Sequence, residues 1–339
     1  MSAGAKVHAA LERLRGEHWP AIEAAMGRVA PRRAGAGTLP DMTWYHLDTG
    51  GKRLRAVIPL AMAEAWGADP ADLVSFGAAV EMIHNATLVH DDLQDGDTHR
   101  RGRETVWRRY GAPQAINCGD AMFFFALRLL EQLDAAPATR ARLSSLVARC
   151  TLDVIGGQVA EFQLKEAESP TEAAYLAMVR GKTGGLFVLP LTGAGMLLGL
   201  DEPRLAALEE AGSHLGVVFQ VQDDLLDLLG DKGRDQRGTD IAEGKISLPA
   251  AHFLATAPEP RRSEVDAIIR KPREETSAAE IGRVMDLFEQ HGSIRHGIAL
   301  IQRTERQVAA AAALLDNPEA ASLLTGLVDV FLEPIRPHL

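Results

Sequence analysis

The sequence predicts an all-α fold, a single helical bundle, and three observations carry that prediction. Apolar residues recur every three to four positions along most of the chain, as at Val7, Ala10, Leu11 and Leu14 and again at Leu205, Leu208 and Ala211. Alternating β-branched runs, the mark of strands, are missing, and aromatics make up only 5% of the residues. No composition shift or long linker divides the 339 residues, so one domain over 1–339 is expected. A hydrophobic content of 46% can fill the core of such a domain and excludes a disordered or collagen-like chain.

Taken in order, the N-terminal helical pattern carries Lys6, Glu12, Arg13 and Arg15 and so lacks the apolar core of a signal peptide. Cys118 and Cys150 are too few for a disulfide framework or a metal cluster, so a cytoplasmic setting is expected, with Cys118 as a packing group. Ala30 to Pro40 reads as a loop. Gly50-Gly51-Lys52-Arg53-Leu54-Arg55 reads as flexible glycines before a starting helix, with Lys52 and Arg55 on one side of it and suited to capturing an anion. Asp69-Pro70 is an N-cap followed by proline at the first helical position, opening a helix that runs to Asp95. Thr183 to Leu200 is uncharged and just reaches spanning length, but its five glycines and Pro190 mark a buried, kinked helix, and no transmembrane segment is expected. Gly230 to Gly244 reads as a polar loop and Pro258 to Pro272 as a charged connector.

Two segments echo each other. HNATLVHDDLQDGD at 84–97 and GVVFQVQDDLLDLLGD at 216–231 both end an apolar helical pattern in clustered aspartates. The helical period brings Asp91 and Asp95 onto one face, with Asp92 about 100° to the side; Asp223 and Asp227 repeat the spacing, with Asp224 beside them and Gln220 one turn earlier. Such carboxylates repel one another in a low-dielectric cleft unless a cation joins them, and hard oxygen ligands on two helices suit Mg²⁺ together with substrate phosphates. The basic sets fit the same filling: Lys52 and Arg55, then Arg100-Arg101-Gly102-Arg103, and the glycine-adjacent Lys182 and Lys245. The net charge of -10 is opposite to that of a general nucleic-acid binder, so a polyanion must be held locally and no nucleic-acid partner is expected.

These residues, in this order, make the chain resemble the trans-isoprenyl diphosphate synthases, the polyprenyl synthetase family. The resemblance runs from about Gly50 to Pro249 through GGKRLR, EMIHNATLVHDDLQD with RRG, GGQ, KTGGLF, FQVQDDLLD and GTDIAEGKISLP. It implies an all-α bundle around a deep central cavity, usually a homodimer, that joins isopentenyl diphosphate head to tail to an allylic prenyl diphosphate. Asp91, Asp95 and Asp223 would hold three Mg²⁺ ions, with Mn²⁺ as a substitute, supported by Asp92, Asp224 and Asp227. Lys52, Arg55, His84 and Arg101 match the isopentenyl diphosphate positions. Arg100, Gln158, Lys182 and Lys245 match the allylic side, and Thr183 and Gln220 match polar residues near the reacting carbons.

Glu161 stands where the family has Asp after Gln158, Ala56, Glu104 and Trp107 depart from commoner residues, and the loop Asp231 to Arg237 lacks an obvious match to the family's extra lysine, for which Arg234 or Arg237 would substitute. A class I terpene cyclase would ordinarily lack the second aspartate cluster and the isopentenyl site, and a non-catalytic partner subunit would ordinarily have lost one cluster; this chain keeps both. Small residues at Ala86 and Thr87, just before the first cluster, leave room beyond a fifteen-carbon chain, and Phe123, Phe124 and Phe125 are the next candidates for a cavity floor. Geranylgeranyl diphosphate is the expected product, with farnesyl or longer chains as the alternatives.

Overall fold

The computed structural model describes residues 3–230 and 237–339. The helices are, in order, α1 Ala3–Val29, α2 Leu39–Leu47, α3 Leu54–Ala65, α4 Val74–Gln94, α5 Val106–Tyr110, α6 Ala112–Glu131, α7 Pro137–Glu166, α8 Glu172–Val179, α9 Gly185–Leu197, α10 Glu202–Leu229, α11 Thr239–Ala242, α12 Leu248–Thr256, α13 Arg261–Ile269, α14 Ala278–His291, α15 Ser293–Ala313 and α16 Pro318–Leu332. The only pairing of extended chain among the described residues joins His99–Arg100 to Arg103–Glu104 in an antiparallel turn that presents Arg100 and Arg101.

The expected all-α bundle is what forms. Helix α4 lies along α6, and α10 packs on α9 and α15, while α3 fills the space between α4 and α9. Helix α9 is buried from Gly185 to Gly195, which is why it lacks a polar face and imitates a membrane span; no described helix is long and apolar enough to cross one. Helix starts follow local chemistry: Asp69 Oδ1 accepts from Ala71 N before a short 3₁₀ turn, Asp201 Oδ1 accepts from Arg204 N, and Ser277 with Glu280 forms a reciprocal capping box.

Three expectations are corrected. Pro258 to Pro272 is not an open connector: Val265, Ile268 and Ile269 are spaced three and four apart and bury one face of α13 under the charged surface. Helix α11 interrupts the polar loop 230–244. Lys52 precedes α3 and does not share a helical face with Arg55, because the backbone at Arg53 is left-handed (φ 54°) and the helix starts one residue later.

Between α8 and α9 the chain widens into a π-turn over Arg180–Gly184, a form that often marks functional sites because it pushes one residue out of register. Gly157 of α7 touches this turn backbone to backbone, since a Cβ there would lie 2.2 Å from Lys182 N. Lys182 and Thr183 are fixed in this way against the two long helices, α7 and α10.

Candidate active site

A cavity of about 550 Å³ opens between the middle of α4, the C-terminal half of α10 and the loop before α3. Its walls bring together Lys52, Arg55, His84, Arg101 and Asp223, five residues that the sequence singled out, with Glu81, Asn85 and Phe219.

The basic wall is organised by burial. The Arg55 guanidinium lies 4.9 Å from the Phe187 ring centroid and 5.5 Å from that of Phe219, and burial brings its pKa down to about 10 against the pull of Glu81. Arg55 Nη1 is 3.3 Å from His84 Nε2. An arginine can only donate, so His84 accepts at Nε2 and carries its proton on Nδ1, which has no partner in the protein, as Arg55 Nε has none. Burial and then the Arg55 charge hold His84 neutral, with a pKa well below its ordinary value. Two buried donors without acceptors are what an anionic ligand would satisfy. Arg101, also left-handed, donates to the Gly50 carbonyl, and a Cβ on Gly51 (φ 127°) would come within 2.6 Å of the same guanidinium.

The first aspartate cluster divides as the helical period requires. Asp92 is 1% exposed and accepts at Oδ1 from Arg100 Nε (2.7 Å) and Nη2 (2.6 Å), while its Oδ2 has no partner. Asp91 stands on the next face, where burial pushes its pKa up to about 6, with Lys182 opposing and Asp95 and Glu161 adding to the rise. Lys182 pairs with Glu161, so the longer carboxylate at that position still reaches the lysine. Lys245 comes from the far side of the chain to 3.6 Å from Asp95 Oδ2 and 2.9 Å from Glu243 Oε2; burial opposes its charge, but these carboxylates outweigh it and its pKa rises. Gln158 is buried nearby in the fold, on α7, with neither amide atom partnered.

The second cluster divides more sharply. Asp227 accepts from Thr239 Oγ1 (2.6 Å) and Asp240 N (3.1 Å), anchoring α11. Asp224 accepts from Tyr175 Oη (2.6 Å), Gln220 Nε2 (3.0 Å) and Leu248 N (2.8 Å). Asp223 is the member that lines the cavity. Among the described residues no three acidic, histidine or cysteine side chains converge on one ion position. Carboxylates on separate helices, together with an unpartnered buried oxygen on Asp92, suit Mg²⁺ when substrate phosphate oxygens complete its shell.

The chain-length candidates separate. Ala86 and Thr87 are buried, Thr87 with its hydroxyl bonded to the His84 carbonyl, and neither lines the 550 Å³ cavity. Phe123 packs beside His90 (centroids 6.0 Å apart) and Phe125 rests partly buried on the core. Phe124 is 68% exposed, because three consecutive helical positions cannot share one face, and is not an internal floor in this chain. Arg234 lies outside the described residues, and Arg237 is exposed.

The family model for polyprenyl synthetase matches residues 37–287, a span that includes every cluster just described. The chain belongs to the polyprenyl synthetase family. It is 35% identical over 328 residues to a geranylgeranyl diphosphate synthase of Mycobacterium tuberculosis, an alignment covering 93% of this chain and 91% of that protein. It is 42% identical over 206 residues to a geranylgeranyl pyrophosphate synthase of Geoglobus acetivorans, covering 60% of this chain and 64% of the relative, just under two thirds of its length. A crystal structure of geranylgeranyl pyrophosphate synthetase from Pyrococcus horikoshii superposes with a TM-score of 0.87 at 29% identity, covering 97% of this chain and 99% of that one.

Not every residue of the site was singled out in the sequence. Glu81, 2% exposed, accepts at Oε1 from Arg53 Nη1 and Asn85 Nδ2, both 2.8 Å away, and so holds the left-handed Arg53 in place. Its signal was available, since a lone carboxylate within the apolar run before His84 must find a buried cation. Tyr175 gave no such signal, because its partner Asp224 lies far along the chain.

Proposed function

We propose that the protein condenses isopentenyl diphosphate with an allylic prenyl diphosphate, head to tail, to give a short all-trans prenyl diphosphate, with geranylgeranyl diphosphate favoured. The observation that carries the reading is the cavity itself, where a basic wall with buried donors that have no protein acceptor meets Asp223 of the second aspartate cluster. Lys52, Arg55, His84 and Arg101 bind one diphosphate. Lys182, Lys245 and Arg100 stand beside the Asp91–Asp95 stripe, where a second diphosphate would sit, and stabilise the charge that develops as it leaves. Asp91, Asp95 and Asp223 would hold the Mg²⁺ ions, which when bound neutralise that diphosphate as Lewis acids. The isopentenyl double bond then attacks the allylic cation, and the proton lost goes to the released diphosphate, so no side-chain nucleophile is needed. In agreement with this, Cys118 and Cys150 are buried with pKa values pushed up to about 12 by burial.

The reading extends to a homodimer in a cytoplasmic setting. Helices α6 and α7 expose Ile116, Phe124, Leu127, Leu152, Ile155 and Val159, a concentration of large apolar side chains that fits a second copy of this chain. Incubation of purified protein with labelled isopentenyl diphosphate, farnesyl diphosphate and Mg²⁺, followed by product sizing, tests the activity. A twenty-carbon diphosphate is the expected product. Release of a cyclic hydrocarbon would favour a terpene cyclase, and no incorporation would favour a non-catalytic subunit.

A further inference from the structure

Asp223 and Asp224 are neighbours with different surroundings. Asp223 lines the cavity, whereas Asp224 is 4% exposed and enclosed by donors from three elements: the Tyr175 phenol of α8, the Gln220 amide one turn back on α10, and the Leu248 N–H that begins α12. Tyr175 is buried completely, and burial followed by the Asp224 charge raises its phenol well above the ordinary range, so it always donates.

The consequence reaches further than Asp224. An amide side chain can be turned either way, but a carboxylate only accepts, so Gln220 must present Nε2 to Asp224. Its Oε1 is then left as an acceptor, and Thr183 Oγ1 donates to it over 3.0 Å. A hydroxyl has one proton. With that proton committed to Gln220, Thr183 offers only lone pairs to anything else, and it does so in the π-turn next to Lys182. Lone pairs stabilise a cation, whereas an O–H pointed at it would oppose its formation.

Resting on the condensation reading above, we propose that Tyr175 is a positioning residue of the reaction: through Asp224 and the Gln220 amide it fixes the Thr183 hydroxyl as an acceptor on the side where the allylic cation forms. The relay crosses from α8 through α10 to the π-turn in three hydrogen bonds of 2.6, 3.0 and 3.0 Å. Removing the phenol oxygen takes one of three donors from Asp224, freeing its carboxylate to rotate and the amide to turn.

The test is a cycle of Tyr175→Phe, Gln220→Leu and the double variant, assayed beside the unsubstituted enzyme with isopentenyl and farnesyl diphosphates. Tyr175→Phe should lower kcat about 10-fold while changing the KM for isopentenyl diphosphate less than twofold. The double variant should be no slower than Gln220→Leu, since the phenol then has nothing to orient. Independent, multiplicative losses in kcat, or an unchanged kcat in Tyr175→Phe, would overturn the relay while leaving the condensation reading intact. A readout free of substrate and metal is the NMR signal of the Gln220 side-chain amide, whose protons should exchange faster with water in Tyr175→Phe. Should that variant not fold, Asp224→Asn serves: its amide nitrogen would face Gln220 Nε2 and force the Gln220 amide over, turning the Thr183 proton outward, so kcat should fall although Tyr175 is present. An unmoved Gln220 signal in whichever of the two variants folds would also overturn the relay. No product from the unsubstituted enzyme would overturn the condensation reading and this role of Tyr175 together.

Discussion

Asp91 is buried enough that its charge works against the fold. Its carboxyl pKa is raised from 3.8 to about 6, so the ionised form costs stability above pH 6. Asp91→Asn should therefore stabilise the metal-free protein at pH 8, by about 2 kcal/mol after allowance for partial exposure, while lowering turnover by about 100-fold or more. Thermal unfolding with a chelator and a steady-state assay with Mg²⁺ check the two halves; a destabilised variant would show that Asp91 is a structural group. His46 has the opposite sign. Burial, then Arg100, Arg101 and Arg53, bring its pKa down to about 3, so the folded state refuses a proton that the unfolded chain accepts below about 6.5. That contribution is present in full above pH 6.5 and is lost as pH falls toward 3, at about 1.4 kcal/mol per pH unit. In His46→Gln, denaturant midpoints followed from pH 7 to pH 5 should decline less steeply than in the unsubstituted protein, and an equal decline would remove His46 as a cause. The six aspartates were legible because they recur at helical spacing. His46 was not, because two of the three arginines whose charge bears on it, Arg100 and Arg101, are more than fifty positions away in sequence.

At the scale of elements, periodicity identified the long helices well and their interruptions poorly. Helix α13 escaped because its apolar face is only three residues wide beneath charges at both ends, and the π-turn escaped because a widened turn has the same residues as a regular one. Its only sequence trace is glycine, and Gly157 has the closest approach. Gly157→Ala should push Lys182 away from Glu161, lowering kcat about 10-fold and thermal stability by a few degrees, whereas Gly156→Ala next to it, with open space around its Cα, should leave both nearly unchanged. Equal effects of the two substitutions would count against the close contact. On α4, Ala86 is fully buried one turn and a residue before Asp91. Ala86→Phe should shorten the product by one or more five-carbon units, read by chromatography of the dephosphorylated alcohols; the same product distribution would mean that the growing chain passes elsewhere.

For the whole molecule, the apolar face of α6 and α7 leads to the proposed homodimer, and Phe124 is its most exposed large side chain. Phe124→Glu should convert a dimer to a monomer in sedimentation equilibrium, with the helical content unchanged by circular dichroism; a persisting dimer would move the interface to another face. The bundle class was readable from composition and period, but this face was not, because a helix that is apolar toward a second copy has the same pattern as one that is apolar toward its own core. The two left-handed arginines act across a comparable span. Arg53 is tied to Glu81 on α4, and Arg101 reaches back to the carbonyl of Gly50, so the two basic loops are held against each other by the protein's own contacts. A mould that is rigid beforehand loses little conformational entropy when it fills, so the strained backbone is accommodated once, as the chain folds, and each later round of substrate capture begins from a pocket already shaped.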